Sequence, residues 1–561
     1  MKRLLWLILA FGFVLRTQAI EIISVDELRP GMKGYGLSVF QGYKVERFNV
    51  EIIDILPKAL PKTDLILVKC SGAGLEKSRV IAGMSGSPVY FKGKLAGAIA
   101  YTWSFAQEPI AGVTPIERML DLLKESPKNS FKAEPKVSKA NSFQLKPAEC
   151  PLVVAGASLG ELNVISEILK PFEIGPVVAG SYTQEPSAPS QILPGSAIGV
   201  ELVRGDINIT AVGTATLVDG NTVLAFGHGF FEGGAVSFPL SLAKVHTVVA
   251  SNYLSFKLAS PVKELGALNR DTEVGIAGRL GEQAKLLPVK VKVKNRSLGI
   301  KESFSFEVAD YPYLTPALVR ICLHRAISSA GAISDRSTVK LNLEMGVEGY
   351  NQPVHYQDWF TVSGSAYSSH YLAPFFIVLQ NPYKRVEVKY LNFDLDIKPG
   401  WEVAQIESVW ANKMEVEPGE TILLGIRFKV FQGEEFEKII PFQVPLDAGR
   451  SISLRFFGGE IMPLDVAPPT SLDDLLKAFE KIPSPKWLVL RYSKRGLIYD
   501  REGKRLRDLP PSVRAIIGGK ADTSTKKSPD YNYHIYPMPY IIRGSAGLRL
   551  RVKPPSIPKK R

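Results

Sequence analysis

Short apolar runs separated by glycine and proline are the feature of this 561-residue chain that most limits its fold. Examples are FNVEIIDIL, DLILVKC and KLAGAIAYTW, which are rich in β-branched residues. Runs of this kind between turns are typical of strands and hairpins. The 47 glycines and 40 prolines supply many turns, because both residue types interrupt regular structure. We therefore predict a mostly β protein.

Bulk composition excludes several classes of protein. Hydrophobic residues make up 45% of the chain and charged residues 22%, which excludes a disordered chain and a multi-span membrane protein. The formal net charge of +14 would fit an anionic partner. However, part of the excess lies in residues 547–561, which contain no acidic residue, and the motifs of nucleic-acid-binding domains are absent. We expect solvated surface charge and no nucleic-acid partner.

The three cysteines, Cys70, Cys150 and Cys322, lie far apart in the sequence and form no CxxC pair. A zinc site or a redox-active dithiol requires closer spacing. The glycine-rich motifs that bind phosphates or dinucleotides are also absent. We therefore predict isolated thiols, no metal site and no cofactor.

The amino terminus has the pattern of a secretory signal. Two basic residues, Lys2 and Arg3, precede the apolar run Leu4–Leu15, and Ala19 offers a small residue for cleavage. The run is shorter than a comfortable membrane span, although an uncleaved anchor is the second interpretation. We expect an exported protein, periplasmic or extracellular, with no stable transmembrane segment after signal cleavage.

The sharpest local motif is the segment Gly83–Pro88, with the sequence GMSGSP, which follows a strand-like run. A nucleophilic serine needs a tight turn that exposes its hydroxyl while backbone N–H groups converge on the oxyanion, and glycine permits that geometry. In this interpretation Ser85 is the nucleophile, and the N–H groups of Gly83 and Ser85 form the oxyanion hole. The alternative is an ordinary hairpin turn, in which glycine and serine are common.

A general base would distinguish the two interpretations. His228 follows an apolar run and lies between two glycines, in the sequence LAFGHG. A strand end or a tight turn suits a base that must reach the nucleophile without crowding the substrate. The alternative is a turn histidine that bonds to the backbone. We accept this alternative for the other five histidines, His246, His324, His355, His370 and His534.

Three segments carry a resemblance to a known family. Residues 83–119 closely resemble the serine segment of the SpoIVB (sporulation factor IV B) peptidases, residues 43–56 resemble the strand before it, and residues 213–229 are similar to the histidine segment. The resemblance implies a serine endopeptidase on a trypsin-like double β-barrel, with Ser85 as nucleophile and His228 as general base. The serine segment also resembles the carboxy-terminal half of trypsin-like proteases, which implies that the return strand of the hairpin after the serine turn pairs with the substrate backbone. The expected substrate-binding residues are Ala98, Ile99, Ala100 and Tyr101.

The chain departs from the family pattern in three respects. Ser85 precedes His228, so the two halves of the peptidase unit look permuted, which catalysis tolerates because triads occur in several chain orders. No PDZ-like module is recognisable, so peptide-controlled regulation is not expected. Met84 replaces the acid that trypsin-like enzymes carry before the serine, so activation through a new amino terminus is not expected either.

The carboxylate that would orient the histidine is less well defined. Asp271 follows His228 at a spacing that suits a neighbouring strand of one barrel. A surface salt bridge with Arg270 is its alternative role. Asp219 lies in a predicted hairpin turn, and Asp64 precedes a strand of the serine half. We take Asp271 as the candidate and keep open a pair without a carboxylate.

Together these observations predict an exported, SpoIVB-like serine endopeptidase that acts on a protein or peptide substrate. A catalytically inactive secreted binding or envelope-scaffold protein on the same fold is the alternative. A lipase or esterase is a third hypothesis. It is disfavoured because the GxSxG motif, which places the nucleophile at a sharp turn between a strand and a helix, is missing. The oligomeric state stays open.

The expected architecture is a trypsin-like double β-barrel with permuted halves, followed by β-sandwich-like accessory domains. Lysine, serine and proline without periodicity mark the linker, and strand-like alternation after Arg385 marks the sandwich. The predicted segments are a signal peptide (1–19), the serine-bearing half of the peptidase unit (20–123), a linker (124–149), the histidine-bearing half (150–299), a mixed β/α accessory region (300–384), a β-sandwich-like domain (385–470), and a C-terminal helix with a basic, proline-rich tail (471–561).

Overall fold

Strands dominate the computed structural model of the protein, which confirms the mostly β prediction. No helix in the part of the chain that the structure describes is long and apolar enough to cross a membrane. The predicted signal peptide and most of the predicted linker lie outside the described residues. The structure describes residues 20–103, 106–124, 145–170, 175–180, 185–331, 336–363, 366–367, 372–462, 469–501, 504–506, 510, 513 and 525–553.

The chain divides into two compact units. The first comprises Met1–Ala155, Lys170–Glu201 and Ile209–Ala284, and the second comprises Gly156–Leu169, Leu202–Asn208 and Lys285–Arg561. Ser85, His228 and Asp271 all lie in the first unit. The elements that lie wholly or mostly in the first unit are β1 (Lys33–Val39), β2 (Val45–Leu60), β3 (Thr63–Ser71), α1 (Leu75–Ser78), β4 (Pro88–Phe91), β5 (Lys94–Trp103), β6 (Ile110–Pro115), α2 (Ile116–Lys124), β7 (Leu145–Pro147), β8 (Leu152–Ala155), β9 (Pro176–Val178), β10 (Ala197–Gly205), β11 (Asn208–Asp219), β12 (Thr222–Ala225), β13 (Gly234–Val249), β14 (Phe256–Thr272) and β15 (Gly275–Leu280).

Barrel A is the closed sheet that carries the serine turn. Its strands follow the order β4-β1-β2-β3-β6-β5, and pairing of β4 with β5 closes it. Lys92 and Gly93, both at positive φ, form the tight turn between β4 and β5, as two-residue hairpin turns require. Inward-facing side chains such as Phe48, Val68 and Ile99 fill the interior.

Barrel B carries the histidine and is also closed. Its strands follow the order β10-β13-β14-β15-β12-β11, with β10 pairing to β11. Asp219 opposes Thr222 in the hairpin between β11 and β12, which confirms the predicted turn. Helix α2 buries Ile116, Met119 and Leu122, and these side chains pack in one cluster with residues of both barrels.

The second unit contains mixed sheets and a two-sheet sandwich. Its elements are α3 (Leu159–Leu169), β16 (Leu286–Asn295), β17 (Ile300–Ala309), α4 (Thr315–Ser329), β18 (Ser337–Val347), β19 (Val354–Ser363), β20 (Ala366–Tyr367), α5 (Ala373–Leu379), β21 (Val388–Pro399), β22 (Val403–Ala411), β23 (Glu415–Val416), β24 (Thr421–Val430), β25 (Glu435–Gln443), β26 (Ser451–Gly458), α6 (Leu472–Phe479), β27 (Trp487–Arg501), β28 (Lys504–Leu506), β29 (Thr525–Pro537), β30 (Ile541–Arg543) and β31 (Ser545–Val552). One part has the strand order β20-β19-β18-β21-β16-β17 and carries α4, which matches the predicted helix over 315–329. The sandwich consists of the sheet β25-β24-β22-β30 and the sheet β23-β31-β26-β27-β28, with β29 paired to β27. Buried residues of both sheets form one core.

Candidate active site

The serine turn, residues 83–87, enters β4 through two glycines in the left-handed region. Gly83 has φ +94° and Gly86 has φ +93°, a conformation that residues with a Cβ rarely adopt. A Cβ on Gly86 would also lie 1.9 Å from the Thr214 carbonyl oxygen. The turn is therefore one that only glycine can build, and it buries Ser85 completely.

Both barrels hold the serine turn in place. On the barrel A side, Gly86 N–H donates to the Ile99 carbonyl at 2.8 Å, and Ile99 N–H donates to the Ser87 carbonyl at 2.9 Å. On the barrel B side, Thr214 N–H donates to the Ser85 carbonyl at 2.8 Å. Strands β5 and β11 thus fix the two faces of the turn.

His228 lies on the loop after β12. Phe226 and Gly227 before it both have positive φ, and the Thr114 hydroxyl donates to the Gly227 carbonyl at 2.6 Å. The ring is buried, and burial lowers the pKa of His228, although its two backbone contacts oppose the shift. Nδ1 lies 2.7 Å from the Gly229 carbonyl oxygen and Nε2 lies 3.0 Å from that of Ala148.

These two contacts restrict the protonation of His228. A carbonyl oxygen only accepts, so each contact needs an N–H on the ring, and a neutral imidazole has one. With the proton on Nε2, His228 donates to Ala148 and cannot take a proton from a serine. The described hydrogen bonds of Ser85 and His228 include none between these two side chains.

A segment of the chain itself, Leu145–Cys150, lies beside both residues, and we call it the cleft segment. Its first part, β7, pairs antiparallel with β5, with Tyr101 opposite Pro147. Ala148 N–H then donates to the Ala100 carbonyl at 2.7 Å. The segment therefore extends the sheet by one strand along the edge that was predicted to bind substrate.

The end of the cleft segment meets the serine turn. Gly83 N–H, predicted to form half of the oxyanion hole, donates to the Glu149 carbonyl at 2.9 Å. The Ser85 Oγ atom lies 3.1 Å from the Cys150 Sγ atom. A peptide carbonyl of the chain itself thus accepts from the N–H group that was predicted to bind the oxyanion.

The four predicted substrate-binding residues divide into two pairs. Ala100 and Tyr101 face the cleft segment, as described above. Ile99 instead bonds to the serine turn, and Ala98 opposes Pro88 and Thr114 within barrel A.

The side chain of Asp271 contacts the backbone of the loop that carries His228. This carboxylate on β14 is fully buried, and it accepts from Phe230 N–H at 2.8 Å and from Phe231 N–H at 2.6 Å. Burial raises the pKa of Asp271 to about 6, although these backbone bonds oppose the shift. Its described hydrogen bonds do not reach the His228 ring. Asp64 accepts from Lys58 N–H at 2.7 Å, in the hairpin between β2 and β3.

Sequence reasoning missed Lys257, which lies on β14 behind the serine turn. The side chain is fully buried. Its Nζ donates to Ser38 Oγ at 2.9 Å and to Thr214 Oγ1 at 3.1 Å. Burial lowers the pKa of Lys257 to about 7. A single lysine in an apolar run is an ordinary strand pattern, so the sequence offered no signal for it.

Metal-ligating side chains do not gather anywhere in the part of the chain that the structure describes: no three of His, Cys, Asp and Glu are placed to hold an ion. The cysteines are free, with Cys70 and Cys322 buried and Cys150 half-buried, which confirms the predicted isolated thiols.

A serine turn on one six-stranded barrel and a histidine loop on the other form the architecture of a β-barrel peptidase, accompanied here by further β domains. Residues 14–120 match the family described as SpoIVB peptidase S55, which confirms the resemblance over this range and implies a serine peptidase. The matched range contains the serine turn, whereas His228 lies outside it. No curated protein and no solved structure matches the chain.

Proposed function

We propose that this protein is an exported serine endopeptidase in which Ser85 is the nucleophile and His228 is the general base. The observation that carries the proposal is the hydrogen bond from Gly83 N–H to the Glu149 carbonyl. It holds a peptide group beside a buried serine, two residues after the strand β7 that pairs with β5. Backbone N–H groups in this position would stabilise the negative charge that develops on a carbonyl oxygen during acyl transfer.

The reaction then follows from these positions. Ser85 Oγ attacks the carbonyl carbon of the substrate, and His228 Nε2 takes the hydroxyl proton. The oxyanion accepts hydrogen bonds from the N–H groups of Gly83 and Ser85. His228 returns the proton to the leaving amine as the C–N bond breaks, and a water molecule, activated by His228, releases the acyl group from Ser85.

Asp271 supports this step through the loop that carries the base. Its two oxygens accept from Phe230 and Phe231, which follow His228 closely in the chain. We assign to Asp271 the role of holding that loop, so that the imidazole stays beside the serine turn.

A substrate must first displace the cleft segment. This segment occupies the edge of β5, the Gly83 N–H and the Nε2 atom of His228. The enzyme is therefore latent as it stands, and peptides gain access by taking over the backbone pairing with β5.

The same contacts favour a second candidate, a catalytically inactive binding or scaffold protein. His228 Nε2 faces a carbonyl oxygen rather than the serine hydroxyl. In that case the serine turn has a structural role only.

Labelling with a fluorophosphonate probe separates the two candidates. We expect purified mature protein to be labelled, and Ser85→Ala and His228→Ala to abolish labelling. His246→Ala is the matched control, because His246 contacts Ser260 Oγ, away from the serine turn. Because the cleft segment covers the site, labelling is repeated on Ala148→Pro, which removes the N–H that holds this segment to Ala100. If neither the folded wild type nor folded Ala148→Pro is labelled across pH and temperature, the peptidase proposal is contradicted. Mass spectrometry of the amino terminus after expression with export tests the cleavage expected at residue 19.

A further inference from the structure

Lys257 is a buried lysine whose described hydrogen bonds go to two hydroxyl groups. Burying an ammonium group is costly unless its donors are well satisfied, so such a residue needs a structural or chemical reason. Its partners are Ser38 on β1 and Thr214 on β11. Each of these hydroxyl groups also makes a hydrogen bond to a residue of the serine turn.

These two hydrogen bonds reach opposite ends of that turn. The Thr214 hydroxyl donates to the Gly83 carbonyl at 2.8 Å, and the Ser87 hydroxyl donates to Ser38 Oγ at 3.0 Å. Lys257 Nζ is therefore linked through one hydroxyl to the first residue of the turn and through another to the last. Ser85 lies midway between these two anchor points.

The stem of Lys257 also supports the turn. Its methylene groups lie 3.2–3.4 Å from the position that a Cβ on Gly83 would take. Its backbone N–H donates to the Ala82 carbonyl at 3.0 Å. Both the stem and the backbone of this residue thus contact the start of the turn.

We propose that Lys257 is a positioning residue of the peptidase site, which acts through Ser38 and Thr214 to fix the Gly83 N–H and the Ser85 hydroxyl. The proposal rests on the proposed peptidase function. Lys257 touches neither the nucleophile nor the cleft-segment carbonyl, so it acts by holding the groups that do.

The charge of Lys257 changes near neutral pH. Burial lowers its pKa to about 7, and the titratable group that acts on it is the Cys150 thiol. Burial raises the pKa of the Cys150 thiol to about 12, and the negative charges of Glu149 and Asp271 also raise it. This thiol is therefore uncharged at neutral pH. The ammonium form of Lys257 has three N–H donors, and its charged hydrogen bonds are the stronger ones. The hydrogen bonds from Lys257 to Ser38 and Thr214 are therefore stronger below pH 7 than above it.

The experiment measures the rate of fluorophosphonate labelling from pH 5 to pH 9. We expect the wild-type rate to rise as His228 loses its proton and to fall again through about pH 7 as Lys257 loses its own. Lys257→Met lowers the rate by about 10- to 100-fold at its maximum, because small misplacements of reacting groups are costly, and it removes the fall at higher pH. Lys257→Arg stays charged, so it retains labelling and shows no fall. The control is Lys263→Met, an exposed lysine on the same strand, which keeps the wild-type profile.

A second variant tests the proposal if Lys257→Met does not fold. Thr214→Val preserves shape and removes one of the two links, so we expect it to slow labelling as well. Folded Lys257→Met or Thr214→Val with the rate and pH profile of the wild type would overturn the proposal.

A measurement that needs no enzyme activity distinguishes failure of the peptidase proposal from failure of the positioning role of Lys257. If the folded wild type is not labelled, amide hydrogen exchange of the peptide that covers residues 83–87 replaces the rate. Faster exchange in Lys257→Met and Thr214→Val than in the wild type and Lys263→Met supports the positioning role. Equal protection in all four proteins overturns it.

Discussion

At the scale of single residues, Gly86 is the position of the serine turn that tolerates change least. Its φ of +93° is combined with a Cβ position 1.9 Å from the Thr214 carbonyl oxygen. Gly93 has a similar φ of +78° but no atom within 4 Å of its Cβ position. Gly93→Ala should therefore lower the free energy of unfolding by about 1–2 kcal/mol from backbone strain alone. Gly86→Ala adds a clash with backbone, and we expect at least about twice that loss.

Urea unfolding followed by circular dichroism measures both variants. Equal losses for Gly86→Ala and Gly93→Ala would show that the turn can move away from β11, contrary to this prediction.

Lys257 makes stability depend on pH. Its pKa is about 7 in the folded protein against an ordinary value of 10.5, so between these values the unfolded chain binds a proton that the folded protein lacks. The free energy of unfolding therefore rises with pH across this window, by up to about 1.4 kcal/mol per unit. Below about pH 7 both states are protonated, and the penalty for burying the charge is fully present.

Lys257→Met removes this dependence. From pH 7 to pH 10, we expect the free energy of unfolding of the wild type to rise relative to that of Lys257→Met. Denaturant titrations at pH 6, 8 and 10 measure it, with Lys263→Met as the control. Parallel pH dependence in Lys257→Met and the wild type would contradict the lowered pKa.

At the scale of elements, the cleft segment decides whether the site is open. Ala148→Pro deletes the N–H that donates to the Ala100 carbonyl at 2.7 Å, because proline has no amide hydrogen. A lost backbone hydrogen bond weakens the docked state by about 1 kcal/mol. We therefore expect fluorophosphonate labelling of Ser85 to become about five-fold faster.

Glu149→Gln is the control for that variant, since it keeps the backbone of the cleft segment and removes only an ion pair with Lys146. Unchanged labelling in folded Ala148→Pro would mean that the segment does not limit access to Ser85.

The cleft segment is held as a bound peptide, and we expect its bond between Glu149 and Cys150 to stay whole. With the proton on Nε2, the His228 nitrogen that contacts the cleft segment cannot take the proton of Ser85. Intact-mass spectrometry of the wild type checks this, with Ser85→Ala as reference. Fragments ending at Glu149 in the wild type alone would contradict it.

At the scale of the whole molecule, some features followed from local patterns and others from pairing between distant segments. Paired glycines around Ser85 and His228 predicted tight turns, and the apolar run over 315–329 predicted α4, because these features depend on nearby residues. The partners of Lys257 come from strands far apart in the sequence. Residues 145–149 of the cleft segment belong to the predicted linker, and they gain a strand only by pairing with β5. Their own sequence has no strand period to predict it.

Free thiols set how the molecule as a whole responds to reductant. Cys70, Cys150 and Cys322 are unpaired, and burial raises the pKa of each thiol, so none is a reactive thiolate in the folded protein. We expect slow reaction with a thiol reagent at pH 8 and three reactive thiols per chain after denaturation. The thermal midpoint of the protein should therefore be the same with and without dithiothreitol. A lower midpoint in dithiothreitol, or fewer than three thiols in the denatured chain, would show that a disulfide forms.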